Sequence, residues 1–249
     1  PSSGTQVTHN AFSNQGYGYV FLQSRDGPKV NGNTGTGANT NRGFELQYCD
    51  AALQVQKNKI SVGAAYGIYL YFCDGGTGSP TPRGHVSNNM IQVGGGGAAY
   101  GITLYYSTYQ DVYFNSVNIT SPNVNSGVAL YVTGTTTSVN VVNNVFANPG
   151  GGYALYVDAA GAAGITTSDY NDVFATGTNL AYWNGNVTNF SALQSASGKE
   201  ANSLSTSPAF YSATNLHALN TQLDSAGTPI TSVTDDFDGD PRDPNNPDI

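Results

Sequence analysis

Positive charge is scarce in this chain of 249 residues, which carries eight Lys and Arg against sixteen Asp and Glu for a net charge of -8. A surface with so little basic field has nothing with which to track a phosphate backbone, which excludes a nucleic-acid partner. No apolar run approaches the roughly 20 residues that span a bilayer, so no helical membrane span is legible. Cys49 and Cys73 are the only cysteines, too few for a disulfide framework or a thiolate zinc site. Lys, Glu, Arg and Met are all rare, which argues against a helical fold. Opening on Pro1, with neither an initiator Met nor a signal peptide, the chain reads as a fragment or processed segment. What is abundant is Gly, Asn, Ser and Thr, with seventeen tyrosines, a composition of strands and turns.

The chain repeats itself. A phrase of Gly, apolar, any, Leu, Tyr begins at Gly67 (GIYLYF), Gly101 (GITLYY), Gly127 (GVALYV) and Gly152 (GYALYV), with a looser copy at Gly43 (GFELQY). Between these copies stands a second phrase, Asn, any, apolar, at Asn58, Asn89, Asn115, Asn144 and Asn171, with Asn10 as an earlier member. Val55, Val86, Val112 and Val141 precede four of these asparagines by three residues. Two short strand phrases alternating at one period of about 26 residues are the signature of a β-solenoid. The expected fold is all-β: a right-handed parallel β-helix of about nine coils over residues 1–185, closed by a loop-rich capping segment over 186–249 that begins near Trp183 and Phe210.

Neighbouring coils of such a solenoid stack about 4.8 Å apart, so equivalent residues form ladders. Strand alternation places Ile68, Leu70 and Phe72 inward, and Leu70, Leu104, Leu130 and Leu155 are expected to form one core column. The apolar alternation slips at each ladder asparagine, which predicts a bend there. Asparagine suits a bend because it tolerates left-handed backbone and its amide bonds to the same amide one coil away. Residues 26–42 and 74–85, rich in Gly, Pro, Asn and Thr, are expected to leave the coil as surface loops.

These GIxLY and NxI or NxF phrases resemble the right-handed parallel β-helix repeats of secreted bacterial proteins and carbohydrate-active enzymes, over roughly residues 10–185. Residues 207–249 resemble the closing segment of large bacterial surface β-helix proteins, in which an Asp-rich DxDGxPR phrase precedes a DIGAYE phrase. Asp236, Asp238, Gly239, Pro241 and Arg242 match the first phrase, and Asp248 and Ile249 begin the second. The resemblance implies an extracellular or cell-surface protein and fixes no activity, since the fold carries enzymes, adhesins and stalks alike.

Four groups of residues are candidates for function. Tyr71, Tyr105, Tyr131 and Tyr156 occupy equivalent places in the Gly phrase and are expected to face outward as one stripe, suited to sugar rings or a packed neighbour, or simply to mutual stacking. Cys49 and Cys73 fall on adjacent coils, where a disulfide and a pair of buried thiols are alternatives. His85, Asp111, Arg83, Lys57 and Lys59 are assigned to one face, where a base beside cations suits a uronate lyase and a surface ion pair is the plainer account. Asp235, Asp236, Asp238 and Asp240, with Asp243 beyond, alternate as calcium ligands do, without the distal Glu of an EF-hand; a structural turn answered by Arg242 is the alternative.

These observations favour a non-catalytic extracellular structural or adhesive module, with carbohydrate or a protein partner as its contact, and side-by-side or end-to-end self-association open to it. A polysaccharide lyase or glycoside hydrolase of the β-helix type is the alternative. No cofactor is required, calcium being the single candidate.

Overall fold

A computed structural model describes residues 4–75 and 82–249, which form a parallel β-solenoid. Each turn contributes one strand to each of three sheets, and each sheet stacks seven parallel strands along the axis. The first, here the valine sheet, runs from Gln6–Thr8 to Ile165–Asp169; the middle sheet runs from Ala11–Ser13 to Asp172–Ala175. The third, the tyrosine sheet, runs from Gly18–Gln23 to Ala181–Trp183 and ends on the short antiparallel strand Asn186–Val187.

Seven turns stand where nine were expected. Beyond Val187 the chain stops coiling: helix Phe190–Ser197, capped by Asn189 and by Gly198 in left-handed conformation, buries Leu193 against the last turn. Leu204 then adds a single parallel bridge to Asp172. Residues 207–249 run back along the outside of the solenoid.

The supposed loop 26–42 is a coil in its own right, with strands Lys29–Asn31 and Thr34–Gly37 in register between their neighbours. Val30 joins the valine column, and Asn33 joins the asparagine column. Gly35 stands where the next coil has Ile60, and the Tyr19 ring fills the space, so that a Cβ on Gly35 would meet it at 2.4 Å. Composition concealed this turn because its core volume comes from a ring elsewhere in the chain. Of the other expected loop, 74–85, residues 76–81 lie outside the described part.

The interior is a set of apolar ladders. Val30, Val55, Val86, Val112 and Val141 are fully buried in successive turns, and Phe44, Ile68, Ile102, Leu130 and Leu155 form a column in the tyrosine sheet. Leu70 and Leu104 belong to a different column, followed by Val132 and Val157, so the expected leucine column does not exist. Between strands Ala99–Tyr105 and Gly127–Thr133 the register places Gly127 opposite Ala99, two residues away from its apparent counterpart Gly101. The preceding turn is tied by Asn123, which accepts from the backbone of Asn125 and Ser126, so the strand joins its sheet two residues further along its phrase. A shift of two preserves which side chains point inward, and the core tolerates it.

Asparagines form the internal spine. Asn10, Asn33, Asn58, Asn89, Asn115, Asn144 and Asn171 stack at the bend between the valine and middle sheets. Each Oδ1 from Asn33 onward accepts the backbone N–H and the amide N–H of the asparagine one turn earlier, as at Asn115, which takes both from Asn89 at 3.1 and 2.8 Å. Each Nδ2 from Asn58 onward also donates to a valine carbonyl in the turn before, as Asn115 does to Val86 at 2.8 Å. Every polar group of the side chain is thereby satisfied away from water. The left-handed residue is the one before the asparagine: His9, Gly32, Lys57, Asn88, Phe114, Asn143 and Tyr170 all have positive φ. That backbone turn throws the side chains of the six non-glycine residues outward.

The spine ends on acids. Asn171 donates to Glu200 Oε2 at 3.1 Å, and its backbone N–H donates to Ser203 Oγ at 2.9 Å. Beside it, Asp172 is fully buried, with Oδ1 accepting from Thr206 N and Oδ2 without a partner among the described residues. Burial raises both carboxyls, Asp172 to about 7. A carboxyl whose folded pKa exceeds its ordinary value near 3.9 favours the fold while protonated; that contribution is complete below about pH 4 and is lost as pH rises through about 7. Asp172→Asn is therefore expected to raise the melting temperature more at pH 8 than at pH 5. Equal shifts at both pH values, in scanning calorimetry, would count against a buried charge there.

Candidate functional site

The outward face of the tyrosine sheet is covered by half-buried aromatic rings. The four tyrosines expected in one stripe occupy two neighbouring columns, because of the two-residue register shift. Tyr71 and Tyr105 pair in one column, and Thr133 follows them. The other column runs Glu45, Tyr69, Thr103, Tyr131, Tyr156, Tyr182. A third outward position supplies Tyr66 and Tyr100. Ring centroids lie 5.4 Å apart at Tyr71 and Tyr105, 5.3 Å at Tyr66 and Tyr100, 4.9 Å at Tyr131 and Tyr156, and 4.3 Å at Tyr156 and Tyr182, all stacked. These contacts cross from coil to coil and stabilise the ladder in the manner of cross-strand aromatic pairs.

Phe72, expected inside, ends its strand in left-handed conformation and faces out. It stacks between Tyr48 and Tyr106 at 5.7 and 4.9 Å. Reading the phrase by alternation alone missed the corner, after which Cys73 and Ser107 point inward in place of the aromatic.

The face is not uniform. Where the column passes from Tyr69 to Tyr131, Thr103 is the intervening residue, and the missing ring leaves a groove of about 330 Å³. Tyr66, Tyr69, Tyr100, Tyr105 and Tyr131 wall it, with Thr103 and Thr133 beneath. At one end Arg42 lies over the rings of Tyr17 and Tyr66, at 5.0 and 5.6 Å, and pairs with Glu45. At the other, Thr133 Oγ1 donates to Asp158, which also accepts from Gly134 N and Gly161 N and is held below the usual carboxylate range by these bonds despite its burial. Burial raises the Tyr66 and Tyr131 phenols, and they stay neutral at any physiological pH.

Cys49 and Cys73 are neighbours in successive turns, and both are free and buried. No disulfide joins them in this structure: Cys49 Sγ donates to the Leu22 carbonyl at 3.5 Å and Cys73 Sγ to the Leu46 carbonyl at 3.3 Å. Burial pushes the Cys73 thiol up, away from the reactive thiolate.

Of the five residues assigned to a basic face, three come together. Arg83 Nε donates to Asp111 Oδ1 at 2.7 Å, Asn140 donates to the same oxygen at 2.8 Å, and His85 Nδ1 lies 3.7 Å from Oδ2. Arg83 also donates to the carbonyls of Ser138 and Gln110. Asp111 is almost fully buried and serves as the anchor that fixes Arg83 across the valine sheet. Burial lowers the His85 pKa, which keeps the ring neutral. Lys57 is elsewhere, paired with Asp235 at 2.6 Å, and Lys59 begins the middle-sheet strand Lys59–Val62.

The terminal aspartates cap turns and pair with Lys57 and His217. Asp236 accepts from Gly239 N and Asp240 N, both at 2.9 Å, in a tight turn that Gly239 enters at φ 94°. Asp238 meets His217 at 2.6 Å, and Asp243 caps the turn at Asn245 and Asn246. Arg242 answers none of these carboxylates by a direct bond. It donates to Asn88 Oδ1 at 2.9 Å and to the Asp248 carbonyl, and stands 3.7 Å over the Phe114 ring.

The tail thus docks on the outward, left-handed residues of the bend. Lys57, Asn88, Phe114 and Asn143 each meet it, Asn143 exchanging two hydrogen bonds with Thr228. Val233 and Ile230 complete a small apolar cluster with Tyr113, Phe114, Val142 and Tyr170. This docking was invisible in the sequence, although the placement of Phe114 and Asn143 one residue before a ladder asparagine was a usable signal.

Residues 1–79, the first three turns, match a family model described as periplasmic copper-binding protein (NosD). No curated protein and no solved structure matches the chain. The two thiols point into the core onto carbonyls, and among the described residues no three His, Cys, Asp or Glu side chains converge. The match covers under half of the chain, and it brings with it no three-ligand metal cluster among the described residues.

Proposed function

We propose that this chain is a non-catalytic parallel β-helix module that works outside the cytoplasm and binds carbohydrate through the tyrosine sheet. One observation carries the reading: seven tyrosines, Tyr66, Tyr69, Tyr71, Tyr100, Tyr105, Tyr131 and Tyr156, stand half-buried on one continuous face, around a groove that the other described residues leave open. Pyranose rings present C–H faces that pack on aromatic planes, and phenol hydroxyls at the rim supply hydrogen bonds, so such a surface is amphipathic in the sense a sugar requires. Rigid ladders hold the rings in place, and little side-chain entropy remains to be lost on binding. The periplasmic description of the matched family and the resemblance to secreted repeats support the location.

A catalytic role has less support. Asp111, the buried carboxylate of the basic face, is committed to Arg83 and Asn140. In native gels cast with embedded neutral polysaccharide, the protein is expected to be retarded. The Tyr105→Ala/Tyr131→Ala variant is expected to run freely while retaining its circular-dichroism spectrum. Equal retardation of the two proteins would remove the tyrosine face from consideration, and retention of a protein partner instead of any polysaccharide would overturn the ligand class.

A further inference from the structure

The groove is one missing rung in a ring stack. Tyr69 and Tyr131 are two strands apart with Thr103 between them, so their backbones are separated by about 9.6 Å, twice the strand spacing. A third ring would continue the column at that rung, as Tyr156 and Tyr182 do further along. Thr103 is 2 % exposed, and its hydroxyl has no hydrogen-bond partner among the described residues. A buried hydroxyl left without a partner is destabilising. Thr103 lines the groove, and its buried, unpartnered hydroxyl is the atom there that a ligand would satisfy.

Resting on the carbohydrate reading above, we infer that this groove is a subsite for one uncharged, gluco-configured pyranose ring of a polysaccharide, stacked between Tyr69 and Tyr131 and hydrogen-bonded to Thr103 Oγ1. Ring geometry selects the configuration. A ring held between two aromatic planes needs C–H on both faces, which the all-equatorial gluco arrangement provides and an axial hydroxyl interrupts. Charge selects neutrality: every residue lining the groove is uncharged, Arg42 at the near end is taken up by Glu45, Asp158 binds Thr133 at the far edge, and the chain carries -8 overall. A uronate would enter a field of its own sign with no free cation on the lining to meet it.

Calorimetric titration with cellohexaose tests the assignment, with mannohexaose and hexagalacturonate as comparisons. Cellohexaose is expected to bind, mannohexaose about tenfold more weakly and hexagalacturonate not at all. Thr103→Tyr supplies the missing ring and is expected to weaken cellohexaose by at least 30-fold with an unchanged or higher melting temperature. Thr103→Val, which keeps the shape and removes the hydroxyl, is expected to weaken it about tenfold and keeps the test valid should the tyrosine variant fold poorly. Unaltered affinity in both Thr103 variants, with binding still lost in Tyr105→Ala/Tyr131→Ala, would overturn the subsite and leave the face. Tighter binding of the galacturonate would overturn the charge argument, and failure of the wild-type protein to bind any neutral glycan would overturn the carbohydrate reading with it.

Discussion

Asn115→Ala is expected to destabilise the solenoid by about 3–5 kcal/mol, because the substitution strands several buried groups at once. The backbone N–H and the amide of Asn89 lose their common acceptor, and the carbonyls of Val86 and Tyr113 lose a donor. All lie at a bend where water has no access, Asn115 itself being 1 % exposed. Asn115→Asp is expected to be at least as damaging at neutral pH, since a carboxylate keeps the acceptor and removes both donors. Each turn contacts only its neighbours, so the loss is felt first in the turns on either side. Urea denaturation followed by circular dichroism measures it. A change below about 1 kcal/mol would show that the spine is decorative and that the valine and leucine columns alone define the coil.

The second large effect belongs to the tail. Arg242→Ala is expected to cost about 2–4 kcal/mol and to free residues 207–249 for proteolysis while the seven turns stay intact. The guanidinium is largely buried, caps the Phe114 ring, and bridges Asn88 to the Asp248 carbonyl. Removing it leaves the Asn88 amide oxygen without its donor and opens the apolar contact of Val233 and Ile230 with Phe114 and Val142. Arg242→Lys keeps the charge without the planar stacking and is expected to fall between the two. Limited chymotrypsin digestion resolved by mass spectrometry reads the outcome, since the tail carries Phe210, Tyr211 and Phe237 and no Lys, and a tail as resistant in Arg242→Ala as in the parent would contradict its role as the fastener.

The periodic part of this molecule was legible in its sequence, and the reason is physical. Strand ladders repeat one local requirement per turn, so Asn58, Asn89, Asn115, Asn144 and Asn171 advertised the spine, and the valines three positions earlier advertised the core. Where a requirement was met by something distant, the sequence was silent. The second turn went unseen because Gly35 takes its core volume from Tyr19. The tyrosine columns were misaligned because alternation has a period of two and cannot register a shift of two. Nine turns were an overcount within residues 1–185, since a period of about 26 fits roughly seven turns into that length, the number that stands. Of the candidate site, the tyrosines were found and the groove was not: Thr103 matters through the ring it lacks, which only the register exposes.

The tyrosine sheet is the proposed binding face. Tyrosine-ring NMR spectra of the protein labelled at its aromatic carbons, recorded during titration with a soluble neutral glucan, test this most directly. The rings of Tyr66, Tyr69, Tyr100, Tyr105 and Tyr131 are predicted to shift together in a saturable manner, while the core ring of Tyr19 and the tail-covered ring of Tyr113 stay still. Saturable shifts confined to rings outside the tyrosine sheet, or no shift at any ring, would contradict it.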